Sequence, residues 1–330
     1  MKPRVIILTE AGTKFGYGHL MRCLAIAQGF KAENIDSTFY LRGDSNPENI
    51  LKEFIWYNKD WLTADLDFSA SIVIVDSYYA DEQFCNKVYK TAYKVLFIDD
   101  YNRIAYPGGF VLNSVIGAEE MDYPDNSEIV YLFGPKYHPL RKEFWEVPVK
   151  VIKENVESIL ITFGGADITN ETPRVLKLLN EYYPSLKKHV IIGSGFSNID
   201  EIKNAADDNT YLIMQPDAEQ MKKEMLDCDI AISAAGQTIY ELARVGVPTI
   251  GLCVIENQLY NLSVWLKTKT FYFLNVIDNH DELTSITKMI KSMHSSSARK
   301  KISNKTKEII DSRSTLRICE ILQSDMNTTK

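Results

Sequence analysis

The sequence lacks any cysteine pattern that would staple or metallate it. Cys23, Cys85, Cys228, Cys253 and Cys319 lie far apart, with no CxxC pair and no metal-ligand spacing, which excludes a sequence-legible disulfide framework or zinc motif. It also lacks a basic excess: 37 Lys and Arg stand against 44 Asp and Glu, for a formal charge of -7. A dedicated nucleic-acid binder needs a basic face to displace counterions from phosphate, so no nucleic-acid partner is expected. Long apolar runs are missing too. No segment reaches the roughly 18 uncharged apolar residues that span a bilayer, and Met1 to Glu10 lacks the features of a signal peptide. These absences lead to the expectation of a cytoplasmic protein with reduced thiols and no stable membrane insertion.

What is present is the balance of a folded chain, 45% hydrophobic and 25% charged over 330 residues. That length suits two domains, each able to bury its own core. Short runs rich in Val and Ile alternate with longer amphipathic stretches, the pattern of parallel sheets covered by helices on both faces. Strands are expected at Val5 to Leu8, Ser37 to Leu41, Ser71 to Val75, Val95 to Ile98 and Ile129 to Phe133 in the first half. In the second half they are expected at Ser158 to Thr162, His189 to Ile192, Tyr211 to Ile213, Ile230 to Ser233 and Thr249 to Leu252. The fold class is therefore α/β, with two Rossmann-like doubly wound domains, residues 1–150 and 151–330. Pro148 and a charged run mark the boundary. From Leu283 the chain reads as helical, a helix from about Ser297 could return to brace the first domain, and Met326 to Lys330 read as a polar tail.

After the first strand comes GTKFGYGHLMRCLAIAQGF, a glycine loop opening into a helix near His19. Gly16 and Gly18 let backbone amides approach a ligand, and the helix start adds partial positive charge, so the loop either contacts an anion or simply turns the chain. A positive helix terminus disfavours imidazolium, which fits His19 as a general base. An N-terminal capping or packing histidine is the competing reading.

In an open parallel sheet, ligands sit beyond the carboxyl ends of the strands. Asp76, Ser77 and Tyr78 follow one expected strand, and Asp99 and Asp100 follow another. The carboxylates could serve acid–base chemistry or sugar hydroxyls, and Asp99 with Asp100 could equally cap a turn. No His or Glu clusters with them, so no metal is assigned.

In the second half ISAAGQTIYELARVGVPTIGLCVIENQ places Gly236 at a strand end, a helix start near Gln237, and Glu241 one turn further on. The first free amides of such a helix can cradle a diphosphate, and a carboxylate in its first turn can accept both ribose hydroxyls. As an ordinary solvated glutamate, Glu241 would need no ligand. Glu256, Asn257 and Gln258 follow the next strand, where side-chain amides suit sugar hydroxyls. Gly164, Gly165 and Asp167 in ITFGGAD contact phosphate or only turn the chain.

Taken in order, GYGHLMRCLAIA, VDSYY, FIDDYNR, LFGPKYHPLRKEF, FGGADITNET, AGQTIYELARVGVP and ENQ resemble the UDP-sugar hydrolase family of pseudaminic acid biosynthesis. That family has the two-domain GT-B fold and is related to MurG-like glycosyltransferases. The resemblance implies a metal-independent, inverting hydrolase without a cofactor, binding a UDP-linked diacetamido-trideoxy sugar in a cleft between the domains. It implies that His19 activates water against the anomeric carbon and that Tyr78 places sugar or water. Glu241 would hold ribose, Gly236, Gln237 and Thr238 the diphosphate, and Asn257 with Gln258 the phosphate and sugar side. Two departures stand out. The family's Arg-x-Asp after the first strand is Leu8, Thr9, Glu10 and Ala11 here, and its GGST-like segment reads Ala235, Gly236, Gln237 and Thr238. A glycosyltransferase using the same donor is the first alternative, and a non-catalytic nucleotide-sugar sensor the second.

Overall fold

The computed structural model describes residues 4–44, 46–69, 71–277 and 284–324. The expected tail at 326–330 lies outside them. The chain forms two compact units, Met1–Lys142 with Ser312–Lys330, and Glu143–Asp311.

In the first unit β1 (Arg4–Glu10), α1 (Gly18–Ala32), β2 (Ser37–Arg42), β3 (Ile55–Asn58), β4 (Ser71–Asp76), α2 (Glu82–Thr91), β5 (Lys94–Ile98), β6 (Gly109–Asn113) and β7 (Ile129–Phe133) follow one another. They build a seven-stranded sheet in the order β3-β2-β1-β4-β5-β6-β7, and every pairing is parallel. The central strands are buried on both faces, which is why RVIILTE and SIVIVD read as continuous apolar runs rather than alternating ones. The strand order reverses between β1 and β4, the switch point at which open α/β sheets gather ligands.

The second unit contains β8 (Ser158–Thr162), α3 (Glu171–Tyr182), β9 (Lys187–Ile192), α4 (Ile199–Ala205), β10 (Thr210–Met214), α5 (Ala218–Asp227), β11 (Ile230–Ala234), α6 (Thr238–Val245), β12 (Thr249–Cys253), α7 (Leu259–Thr268), β13 (Tyr272–Asn275), α8 (Ser285–Ser292) and α9 (Ser296–Lys307). Its parallel sheet runs β10-β9-β8-β11-β12-β13, with the reversal between β8 and β11. Gly246, at φ 81, ends α6 in the left-handed conformation that glycine adopts without steric cost, and Pro248 follows it.

The sequence pattern did not mark β3, β6 or β13. IWYN of β3 is an exposed edge strand of four residues, GFVLN of β6 opens with a glycine, and β13 also has only four residues. The four residues of β3 and of β13 are too few for a periodic signal, and the glycines at the start of β6 read as a turn.

The last helix, α10 (Ser314–Gln323), belongs to the first unit, whereas α9 stays in the second, so the returning element starts later than Ser297. Ile318, Cys319 and Leu322 of α10 join the core formed by α1 and β1. Thr315 fixes the approach by donating to the Leu140 carbonyl and accepting from the Leu140 amide, each at 2.8 Å. Gly29 permits it: a Cβ there would stand 2.6 Å from Cys319 Sγ and 3.1 Å from Thr315 Cγ2. Gly29→Val is therefore expected to destabilise the first unit by about 1–3 kcal/mol through overpacking. Urea unfolding checks this, and a variant as stable as the parent would show that the two helices do not pack this closely.

Candidate functional site

The carboxyl ends of β1, β4 and β5 and the start of α1 bring together a buried polar cluster. In α1, His19 and Arg22 sit three residues apart and so share one face. Only 8% of His19 and 4% of Arg22 is exposed. His19 Nδ1 lies 2.6 Å from Asp76 Oδ1. Arg22 grips Asp76 with two nitrogens, Nε to Oδ2 and an Nη to Oδ1, both at 2.6 Å, and donates its other Nη to Asp100 at 2.7 Å. Asp100 in turn accepts from the Tyr78 hydroxyl at 2.6 Å. The Tyr78 ring stands edge-on to His19 with centroids 4.5 Å apart.

Charge fixes the proton positions in this cluster. Burial alone would raise the Asp76 carboxyl, but Arg22 and then His19 outweigh it and hold the group well below the usual carboxylate range. The same balance, again led by Arg22, lowers Asp100. Ionised Asp76 can only accept, so His19 carries a proton on Nδ1, and it is Nε2 that the neutral ring would offer as its acceptor. It follows that the 3.2 Å approach of the Arg22 guanidinium to His19 Nδ1 joins two donors converging on one oxygen and is not a hydrogen bond between them. Burial, reinforced by Asp100, pushes the Tyr78 phenol far above its ordinary value. Tyr78 thus stays neutral, spends its proton on Asp100, and offers only lone pairs to anything beside it.

Two further groups flank the cluster. Glu10 ends β1 with 1% exposure, and its carboxyl is raised by burial against the opposing pull of Arg42. Arg42, in register with Glu10 on β2, donates to it at 2.9 Å. An arginine therefore stands beside the acid at this strand end after all, supplied by the neighbouring strand rather than by the residues after β1. His138, from the LFGPKYHPLRKEF segment, is 2% exposed and lies 3.0 Å from the Ser114 hydroxyl. Burial and then the nearby Arg22 push its imidazole down to about 3.

The expected residues divide accordingly. His19, Asp76 and Tyr78 come together, and Gly16 and Gly18 both have open space where a side chain would stand. Asp99 does not join them. Its carboxylate accepts the Tyr123 hydroxyl at 2.7 Å and the Asp100 amide at 2.9 Å, so it shapes the loop and leaves Asp100 to meet Arg22. Sequence reasoning passed over Arg22 and His138. The one available signal for Arg22 is a cation set among apolar residues at i+3 from His19.

In the second unit the corresponding strand ends carry the glycines. Gly236 follows β11, and an added Cβ would meet only the Gln258 amide nitrogen, at 3.8 Å. Gln258 is held there by accepting from the Val254 amide at 3.0 Å. Asn261 secures the turn by donating to the Ala235 carbonyl at 2.8 Å. Among the described residues the Gln237 side chain does not cap α6, the Ile239 and Tyr240 amides turn back to the Gly236 and Gln237 carbonyls at 3.3 and 3.1 Å, and Glu241 stands in the first turn. At the end of β8 the situation differs. Gly164, at φ 73, has open space beside it, and the Gly165 carbonyl accepts from Gly195 at 2.9 Å. Asp167 already occupies the α3 amides, taking Glu171 and Thr172 at 2.9 and 3.0 Å. Asn257 lies in the short helix after β12, and its side chain is outside the described residues.

His138 generates a pH prediction. Its imidazole takes a proton near the ordinary histidine value of about 6.5 when unfolded but only at about 3 when folded. Between those values the unfolded chain binds the extra proton, so stability falls as pH falls, by up to about 1.4 kcal/mol per pH unit. In His138→Gln the slope of unfolding free energy between about pH 6 and pH 4 should lose close to that amount. Equal slopes in the two proteins would mean that folded His138 titrates normally.

No protein-family model matches the chain. Among curated proteins it is 27% identical over 259 residues to the pseudaminic acid cytidylyltransferase and UDP-2,4-diacetamido-2,4,6-trideoxy-beta-L-altropyranose hydrolase of Helicobacter pylori, with 77% of this chain and 45% of that protein covered. It is 25% identical to an uncharacterized protein of Methanocaldococcus jannaschii, covering 82% of this chain and 60% of that one. The chain therefore spans about half the length of these two relatives. It is 22% identical to the spore coat polysaccharide biosynthesis protein SpsG of Bacillus subtilis, over 96% of this chain and 97% of that one. Among solved structures, MurG of Acinetobacter baumannii aligns with TM-score 0.64 at 14% identity, covering 98% of this chain and all of MurG. MnaA of S. aureus, solved with UDP, aligns with TM-score 0.66 at 9% identity, covering 98% and 97%. At such identities these structures bear on the fold alone, and that fold is GT-B, with two Rossmann-like domains.

Proposed function

We propose that the chain is a nucleotide-sugar hydrolase that releases UDP from a UDP-linked diacetamido-trideoxy sugar, without a metal and with inversion. The observation that carries this reading is the His19–Asp76 pair at the β1/β4 switch point, which leaves Nε2 of His19 as a proton acceptor. In the proposed step a water oxygen bonds to the anomeric carbon while the water proton passes to His19 Nε2. The bond from that carbon to the phosphate oxygen breaks, and its electron pair leaves with UDP. The uncapped amides at the start of α6 meet the charge on the leaving phosphate, and Glu241 holds the ribose hydroxyls. The names of the H. pylori hydrolase and of the polysaccharide-biosynthesis relative support the substrate class.

Water suits this arrangement better than a sugar hydroxyl. Tyr78 spends its own proton on Asp100, and its ring lies against that of His19, so His19 Nε2 and the Tyr78 oxygen are two acceptors on neighbouring rings. Water has two hydrogens to satisfy them, whereas an acceptor hydroxyl has one. Glycosyl transfer from the same donor is the second reading, since the GT-B fold is shared with a rhamnosyltransferase and a glycosyltransferase of Rickettsia africae.

His19→Asn should fold and bind UDP, while turnover falls roughly a hundredfold to ten-thousandfold, as for a lost general base. Hydrolysis in oxygen-18 water should place the label on the anomeric hydroxyl of the sugar. Label in the UDP phosphate would mean attack at phosphorus and overturn the mechanism, and a glycosylated product formed faster than free sugar when acceptors are added would favour transfer.

Glu241→Ala should weaken UDP by about 1–3 kcal/mol, the range for a hydrogen bond to a charged group. It should weaken 2′-deoxy-UDP by less. Calorimetry with both ligands checks this, and equal losses would count against the ribose role.

A further inference from the structure

The second unit holds a group of donors unrelated to the strand ends discussed above. His189 is the third residue of β9, and Glu224 and Cys228 lie at the last turn of α5 and its C-terminal cap. The i, i+4 spacing puts Glu224 and Cys228 on one helix face. One donor atom from each of the three residues can be chosen so that all lie within 4.8 Å of one another. His189 Nδ1 and Glu224 Oε2 are already 2.7 Å apart. Tyr211, paired with His189 in the sheet, packs its ring 5.3 Å from the imidazole and helps set its orientation. Cys228 is fixed through its backbone: its carbonyl accepts from the Lys150 ammonium, which also binds the Met225 and Leu226 carbonyls at 2.9 Å each.

We propose that His189, Glu224 and Cys228 form a binding site for a borderline-soft divalent cation of the zinc class. The donor set carries the inference. A histidine–carboxylate pair alone is an ordinary polar contact, but a thiol brought within ligand distance of both adds the donor that distinguishes a zinc-class ion from magnesium or calcium. The three donors occupy three positions of a tetrahedron, and water fills the fourth. Binding is an exchange in which the metal displaces the thiol proton to solvent, while the proton between His189 and Glu224 moves to the other imidazole nitrogen, so that His189 ligates as a neutral ring. Burial and the Glu224 carboxylate push the Cys228 thiol up to about 12, so in the absence of metal it is a protonated, unreactive group. His189 stands in the first half of β9, whereas ligands of α/β sheets gather at the carboxyl ends of strands, so this ion would tie α5 to the sheet and take no part in the chemistry.

The test is cobalt titration of the full chain after chelator treatment. One equivalent should bind, with the intense visible absorption of a four-coordinate ion and a thiolate-to-cobalt band in the near ultraviolet. Zinc should displace it and raise the melting temperature. Cys228→Ser, nearly the same size, should lose the near-ultraviolet band, and Glu224→Gln should bind at least tenfold more weakly, with both variants retaining the parent's UDP affinity. A missing near-ultraviolet band at stoichiometric cobalt, or one that survives in Cys228→Ser, would overturn the site.

Discussion

The site in the first unit depends on one buried guanidinium. Arg22 bridges Asp76 at the end of β4 and Asp100 just beyond β5, so one side chain of α1 sets the spacing of two strand ends and of the residues that follow them. Three charges buried together are expensive to desolvate, and such a network is a poor source of net stability. Its value lies in geometry. A bidentate fork fixes both direction and distance, which a lysine ammonium could not do. Removing the arginine would leave two carboxylates buried beside His19 with no cation to balance them. The order of Tyr78, His19 and their protons follows from this one contact, because Asp100 can orient the phenol, and Asp76 the imidazole, only while both remain ionised.

The second unit meets the same topological demand with backbone rather than charge. Its two helices at the switch point, α3 and α6, begin differently. Asp167 takes the α3 amides, whereas among the described residues the Gln237 side chain at the N-cap of α6 takes none. Of the two, α6 is therefore the one suited to an anion from outside the chain. The turn before it is held by Asn261 and lined by Gln258, neither of which puts a carboxylate near the open amides.

Much of the fold is legible in the sequence. Long buried strands announce themselves because parallel sheets bury both faces, the strand-end rule points to Asp76, Tyr78, Asp99 and Asp100, and the glycine loop before a helix start points to His19. Short strands such as β3 and β13 carry too few residues to show a period. Within the site the difficulty was of another kind. Asp99 and Asp100 are adjacent carboxylates with identical local signals, yet one turns into its own loop and the other meets Arg22. Only the path of the chain after β5 decides which. Arg22 has no local signal of burial, because the carboxylates that justify it lie 54 and 78 residues away. Glu10 shows the same limit. The sequence after β1 offers it no arginine, and the parallel register with β2 supplies Arg42.

The two switch points thus have opposite chemical character. The first unit presents acceptors, the imidazole nitrogen of His19 and the lone pairs of Tyr78, backed by carboxylates whose charge Arg22 balances. The second presents donors, the open amides of α6 and the Gln258 amide nitrogen beside Gly236. A displacement at an anomeric carbon, as proposed for this chain, needs both. The nucleophile must lose a proton as it attacks, and the departing phosphate must gain hydrogen bonds as its charge grows. The same scaffold can serve either hydrolysis or transfer, so the distinction rests on what the acceptors in the first unit can accommodate. Two of them on adjoining rings, with no proton of their own to offer, match a molecule that brings two hydrogens.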